Sequence, residues 1–175
     1  MNRLYWITGL AGAGKTTVAR ALTAELRSRG EPVVLLDGDE LREALGRTGS
    51  HSPADRLELA TSYARLGRLF YAQGLNVVCA TISPFPQVRQ SLRESTPGYV
   101  EVYVRVSRAT LMARDQKGLY SRAAAGNQSY LVGQDIPFDE PLSPDVCIDN
   151  EPGTLVSDHV TAILNLHYSP LRRSA

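Results

Sequence analysis

Cysteine is scarce in this chain, which carries only Cys79 and Cys147, and their separation frames neither a metal site nor a disulfide scaffold. Each falls in a short apolar run that reads as a buried strand, so two free thiols in a reducing compartment are expected. No apolar run approaches the roughly 20 residues that span a bilayer. The amino terminus enters the strand-like "LYWIT" with no small-residue cleavage site after it, which makes the cytoplasm the expected location. An excess of one charge is missing too. Nineteen Lys and Arg against 18 Asp and Glu leave a formal net charge of +1, so neither nucleic acid nor an anionic membrane is expected as partner. Repeats and low-complexity linkers are absent, and 175 residues suit a single domain over 1–175.

What is present is the balance of a globular protein, 43% hydrophobic and 21% charged. Short β-branched or aromatic runs at 3–8, 32–37, 75–81, 99–106 and 146–149 read as strands. Helical patterns fall between and after them, at about 15–29, 54–73, 86–94, 107–114 and 154–167. In the second helix Leu59, Tyr63, Leu66 and Phe70 recur every three or four residues and define one apolar face. Strands separated by helices need crossover connections, so the expected fold is α/β, a mostly parallel five-stranded sheet with helices on both faces. The span from about 115 to 144 departs from the pattern. It has several glycines and prolines and no clear period, longer than compact domains usually leave irregular, and is expected to be a functional lid. Trp6 reads as core, His159 and His167 as surface or packing residues of the last helix, and "LRRSA" as a short basic tail.

The first strand runs into "GLAGAGKTT", which satisfies G-x-x-x-x-G-K-[ST] with Gly9, Gly14, Lys15 and Thr16. Phosphate oxygens need several donors converging at short range. Glycines let the backbone turn its N–H groups inward, and the amino end of the following helix adds favourable potential. Lys15 is expected to reach the β- and γ-phosphates and the Thr16 hydroxyl to ligate Mg²⁺. The fold class is therefore refined to that of the P-loop nucleoside triphosphate hydrolases. ATP is the expected phosphoryl donor, held by Gly9, Ala11, Gly12, Ala13, Gly14, Lys15, Thr16 and Thr17.

The second strand ends in "LLDGDELR", which puts Asp37 and Asp39 at the carboxyl edge of the sheet, where open α/β sheets bind ligands. Two carboxylates beside a magnesium nucleotide divide two tasks. Asp37 is expected to hold the metal and Asp39 to accept a proton from the attacking hydroxyl. The same residues also suit a plain turn and helix start, since Asp-Gly favours turns and Asp favours caps.

Together with "ISPF", "RDQKGLY" and "DIPFDEP", these motifs resemble the adenylylsulfate kinase family over nearly the whole chain and in family order. The resemblance implies a kinase that moves the γ-phosphoryl of ATP to the 3′-hydroxyl of adenylyl sulfate with Mg²⁺. It implies catalytic roles for Lys15, Asp39, Ser83 and Lys117. It assigns the acceptor to Asp37, Asp39, Arg42, His51, Arg56, Ile82, Ser83, Lys117 and Leu131. Ser83 matches the family serine described as a phosphoserine intermediate, although direct in-line transfer with Ser83 as a substrate contact is the expected chemistry. Arg114, Lys117 and Arg122 are expected to fold over the phosphates and exclude water. "DNEPG" would wall the donor base, and a homodimer is compatible with the family pattern.

The acceptor motifs are altered. Where the family pattern reads G-F-S-x-x-D-R-x-E-N-I-R-R, this chain has "SHSPADRLELATS". His51 replaces a phenylalanine, Leu59 an asparagine, and Thr61 and Ser62 two arginines. In "YLVGQ" Leu131 replaces the second phenylalanine, and Pro86 stands where an arginine is usual. Stacking on such rings is worth about 1–3 kcal/mol per base, and lost arginines remove charge that holds an anion. Three readings follow. The acceptor is adenylyl sulfate, with His51 and Tyr130 supplying the stacking; or it is a different nucleotide such as cytidine diphosphoramidate; or the chain is a nucleotide-controlled switch. The last lacks an N-K-x-D sequence.

Overall fold

The computed structural model describes residues 1–47, 52–126 and 130–168. All five expected strands form: β1 (Leu4–Thr8), β2 (Val33–Asp37), β3 (Asn76–Ala80), β4 (Tyr99–Arg105) and β5 (Val146–Asp149). They make one parallel sheet in the order β2-β3-β1-β4-β5. Every residue of β1 and β3 is buried, as expected of central strands covered on both faces. Alternation sorts them into two cores. Tyr5, Ile7, Val78 and Val102 face α1 (Lys15–Ser28) and α7 (Val156–His167). Leu4, Trp6, Val77 and Cys79 face α3 (Pro53–Ala72) and α4 (Pro86–Ser95). Leu59 and Tyr63 are buried in that second core, with Leu66 and Phe70 partly buried against it, so the face predicted for the helix exists.

Local chemistry sets the helix ends. Ser52 accepts a hydrogen bond from the Asp55 amide with Pro53 in the first turn, and Ser107 accepts from the Thr110 amide at the start of α5 (Arg108–Arg114). Two further short helices form that no apolar period marked. One is α2 (Gly38–Ala44), capped by Asp37; the other is α6 (Leu119–Ala124), preceded by a 3₁₀ turn at Gln116–Gly118. The described part of the 115–144 span therefore contains helical structure.

Cys147 corrects an expectation. Both thiols are free, but only Cys79 is buried. β5 is an edge strand that covers one face only, so Val146 and Ile148 point inward while Cys147 and Asp149 are exposed. His159 and His167 are both buried, hence packing residues. Among the described residues no helix is long and apolar enough to cross a membrane.

The carboxyl ends of β1, β2 and β3 lead directly into three loops: 9–14, the turn at Asp37–Asp39, and 81–85. These three and the 3₁₀ turn surround one cavity.

Candidate active site

The loop after β1 is shaped by positions that tolerate no side chain. Gly9 has φ 150, and a Cβ there would lie 2.5 Å from the Val104 carbonyl oxygen. Gly14 has φ 96, and its Cβ would collide with the Asn150 amide. The Ala13 amide closes the turn on the Leu10 carbonyl at 3.1 Å. Ala11, Gly12, Gly14, Lys15, Thr16 and Thr17 line the cavity, whereas Gly9 and buried Ala13 shape the loop from behind. The Lys15 ammonium turns inward and donates to the Leu10 carbonyl at 2.8 Å. Burial lowers its pKa to about 8 against the pull of Asp39 and Asp37. An anion arriving here meets a lysine with one weak partner.

Asp37 is buried at the end of β2 and works with both oxygens. Oδ1 accepts from the Asp39 amide at 2.9 Å, which caps α2. Oδ2 accepts from the Thr16 hydroxyl at 2.7 Å. The turn-and-cap reading is thus realised by this side chain, which also accepts from the Thr16 hydroxyl. A hydroxyl and a carboxylate side by side form an oxygen pair suited to a hard cation such as Mg²⁺, which takes few protein ligands beside phosphate and water. Among the described residues no group of three or more His, Cys, Asp or Glu could hold a metal.

Asp39 is exposed at the mouth of the cavity and accepts from the Lys117 ammonium at 2.7 Å. That bond holds the Asp39 carboxyl below the usual carboxylate range and raises Lys117. While Lys117 is in place, Asp39 is a weaker proton acceptor than a free carboxylate. The pair is solvent-exposed on both sides, with side-chain accessibilities of 63% and 77%, so it adds little to stability and exchanges readily for a stronger partner.

The segment after α5 lies over the loop. Asp115, Lys117 and Gly118 all have left-handed backbone, which folds the chain back, and Asp115 accepts from the Tyr120 and Ser121 amides at the start of α6. Arg114 donates to the carbonyls of Gly12 (3.2 Å) and Asn150 (2.7 Å), and the Tyr120 hydroxyl to that of Ala11 (2.8 Å). Arg122 is exposed on α6 and is not part of the cavity lining. Asn150, in the "DNEPG" turn, donates to the Ala13 carbonyl at 2.7 Å and is itself met by His159 at 3.2 Å. The motif reading quoted Tyr120 at the end of "RDQKGLY" without giving it a role and assigned Asn150 only to a wall. Both fix the loop through backbone carbonyls, which carry no sequence signature.

On the opposite side, Thr81, Ile82, Ser83 and Pro84 line the cavity with Arg42 and Arg56. Burial and then the nearby Arg42 charge lower the Arg56 pKa, and two cations sharing one wall favour an anionic guest. The Arg56 guanidinium also donates to the Tyr130 carbonyl at 3.1 Å. Leu59, Ala60 and Tyr63 of α3 complete the wall, and the Tyr63 hydroxyl donates to the Gly38 carbonyl at 3.2 Å. Thr61 and Ser62 bond their own helix, at the Leu57 and Glu58 carbonyls. Leu131 is buried and does not line the cavity. Its amide is held by Asp135, whose amide in turn bonds the Leu131 carbonyl, so the segment closes on itself. His51 lies outside the described residues.

A family model described as adenylylsulphate kinase matches residues 1–149. A probable adenylyl-sulfate kinase of Halalkalibacterium halodurans is 42% identical over 156 residues, covering 88% of this chain and 75% of that protein. A cytidine diphosphoramidate kinase of Campylobacter jejuni is 36% identical over 161 residues, covering 92% and 94%. Among solved structures, a Mycobacterium tuberculosis APS kinase in complex with AMPPNP and APS superposes with a TM-score of 0.88 at 30% identity, covering 96% and 98%.

Proposed function

The chain belongs to the adenylylsulphate kinase family, and from that premise we propose that it transfers the γ-phosphoryl group of ATP to a ribose 3′-hydroxyl of a small nucleotide, adenylyl sulfate foremost. It is a phosphotransferase with a hydroxyl acceptor and ATP as donor. The observation that carries the reading is the Thr16–Asp37 hydrogen bond of 2.7 Å. It joins the phosphate loop to the acid-bearing turn within one cavity, so donor and acceptor groups meet there.

In this reading the loop amides and Lys15 hold the triphosphate, and Arg114 keeps the loop closed. Thr16 and Asp37 would hold Mg²⁺, which when bound neutralises charge on the phosphates. Asp39 orients the acceptor hydroxyl and takes its proton once Lys117 has moved to the incoming phosphoryl oxygens. Arg42 and Arg56 face the anionic part of the acceptor, and the turn at Ser83 borders it.

Cytidine diphosphoramidate is the second candidate acceptor. The apolar α3 wall of Leu59 and Ala60 and the absence of Leu131 from the cavity lining favour a smaller base that needs less stacking surface. The kinase relatives leave the switch reading without support. Incubation with Mg·ATP and either adenylyl sulfate or cytidine diphosphoramidate, followed by release of ADP, tests the proposal. Stimulation of turnover by one acceptor identifies it. Turnover that stays at the rate of ATP alone with both defeats the acceptor assignment.

A further inference from the structure

We propose that Arg89, on α4, is a positioning residue that locks the Ser83 turn and couples it to the segment returning from the lid. The inference rests on the proposed phosphotransfer at this site. Ser83 has φ 40, in the left-handed region that a serine seldom adopts, and is only 2% exposed with no hydrogen-bond partner for its hydroxyl. A strained, buried residue on a cavity wall persists only where its surroundings over-determine it. Two side chains do so here. The Thr8 hydroxyl, at the end of β1, donates to the Ile82 carbonyl at 2.5 Å, and an Arg89 Nη1 donates to the Ser83 carbonyl at 2.8 Å.

The same guanidinium reaches further. Its Nη2 donates to the Asp139 carbonyl at 2.7 Å. Asp139 belongs to the "DIPFDEP" stretch near the carboxyl end of the 115–144 span and follows Phe138, whose ring packs on Tyr103 of β4 at 6.0 Å between centroids. Arg89 Nε pairs with Glu101 at 2.8 Å, with both side chains about 6–7% exposed. The other Glu101 oxygen pairs with Arg93. A buried carboxylate thus pairs with a buried guanidinium, and the two terminal nitrogens of the planar fork donate to the carbonyls of Ser83 and Asp139, which lie in separate segments. Lysine, a point charge without a fork, does not reproduce this. The acceptor turn and the lid's carboxyl-terminal anchor therefore move as one piece.

Arg89→Lys, with Arg89→Gln as an alternative that retains an amide donor, tests the coupling. Expected are a rise of about tenfold or more in acceptor KM together with a fall in kcat, while the KM for ATP stays within about twofold. Hydrogen exchange should accelerate together in peptides covering 81–85 and 136–141 and stay unchanged in 9–16. Glu101→Gln keeps the fork on both carbonyls, so it should lower the melting temperature and leave the acceptor KM within about twofold. A folded Arg89 variant with wild-type acceptor KM overturns the proposal. So does exchange that rises evenly along the chain, or a Glu101→Gln variant that raises acceptor KM as much as Arg89→Lys. If the wild type phosphorylates neither acceptor, the functional reading fails separately, and the exchange measurement alone decides whether Arg89 ties the two segments.

Discussion

The two halves of the cavity are built from different materials. On the proposed donor side the wall is mostly backbone: a glycine-shaped loop, the first turn of α1, and carbonyls that Arg114, Tyr120 and Asn150 fasten from outside. On the acceptor side it is mostly side chain, from Arg42, Arg56, Leu59, Tyr63 and the Ser83 turn. A triphosphate presents the same oxygens in every kinase, so a backbone cradle answers it once and leaves little to vary. An acceptor base presents a particular edge and face, and side chains on a helix are exchanged without disturbing the fold. That is where this chain departs from its family pattern, at Leu59, Thr61 and Ser62, while α3 keeps its buried face.

The strongest way to break the contrast is Lys15→Ala. Removing the loop's cation should lower turnover about 10²–10³-fold for every acceptor tested; loss confined to one acceptor in steady-state assays would erase the distinction between halves. Asp39→Asn comes next, with an expected fall in kcat of about a hundredfold and ATP affinity near wild type by direct titration. Retained turnover would remove Asp39 from the proton-transfer role.

The pH dependence of ATP binding sharpens the donor side. Burial pushes the Lys15 ammonium down to about 8, and bound phosphates would favour its charged form. Below pH 8 the charge is already present, and above it binding must take up a proton. ATP affinity should therefore weaken as pH rises through 8, by up to about tenfold per unit. Calorimetry in two buffers of different ionisation enthalpy checks the proton uptake, and Lys15→Arg should abolish it. The smallest effect is expected from Leu131→Phe. Restoring the family's aromatic residue at a position that does not line the cavity should change acceptor KM by less than about twofold; a gain of tenfold would bring Leu131 back into the acceptor wall.

Most of the sheet and all of the donor loop could be read from residue order. Runs such as "LYWIT" and "NVVCA" are buried on both faces, and the phosphate loop announces itself by glycine spacing. What escaped has physical reasons. α2 is seven residues long with none buried, so no apolar period marked it. α6 buries only Ala123, and its hold on the site is a tyrosine hydroxyl on a backbone carbonyl. Cys147 was misjudged because an apolar run does not reveal whether its strand lies at an edge. Leu131 was placed by motif correspondence, whereas Asp135 closes that segment on itself. Tyr63 was read only as part of the apolar face of α3, yet one helical turn after Leu59 it also lines the cavity.

The Lys117–Asp39 contact carries a consequence for idle turnover. If Asp39 is the proton acceptor proposed above, that carboxylate at the cavity mouth has the Lys117 ammonium seated on it and is shielded from a stray water. The nucleotide can wait without being squandered. In that proposal the acid is freed only when a second guest turns the lysine toward the phosphoryl oxygens, so the rate of wasteful hydrolysis and the choice of guest come under the control of a single movable cation.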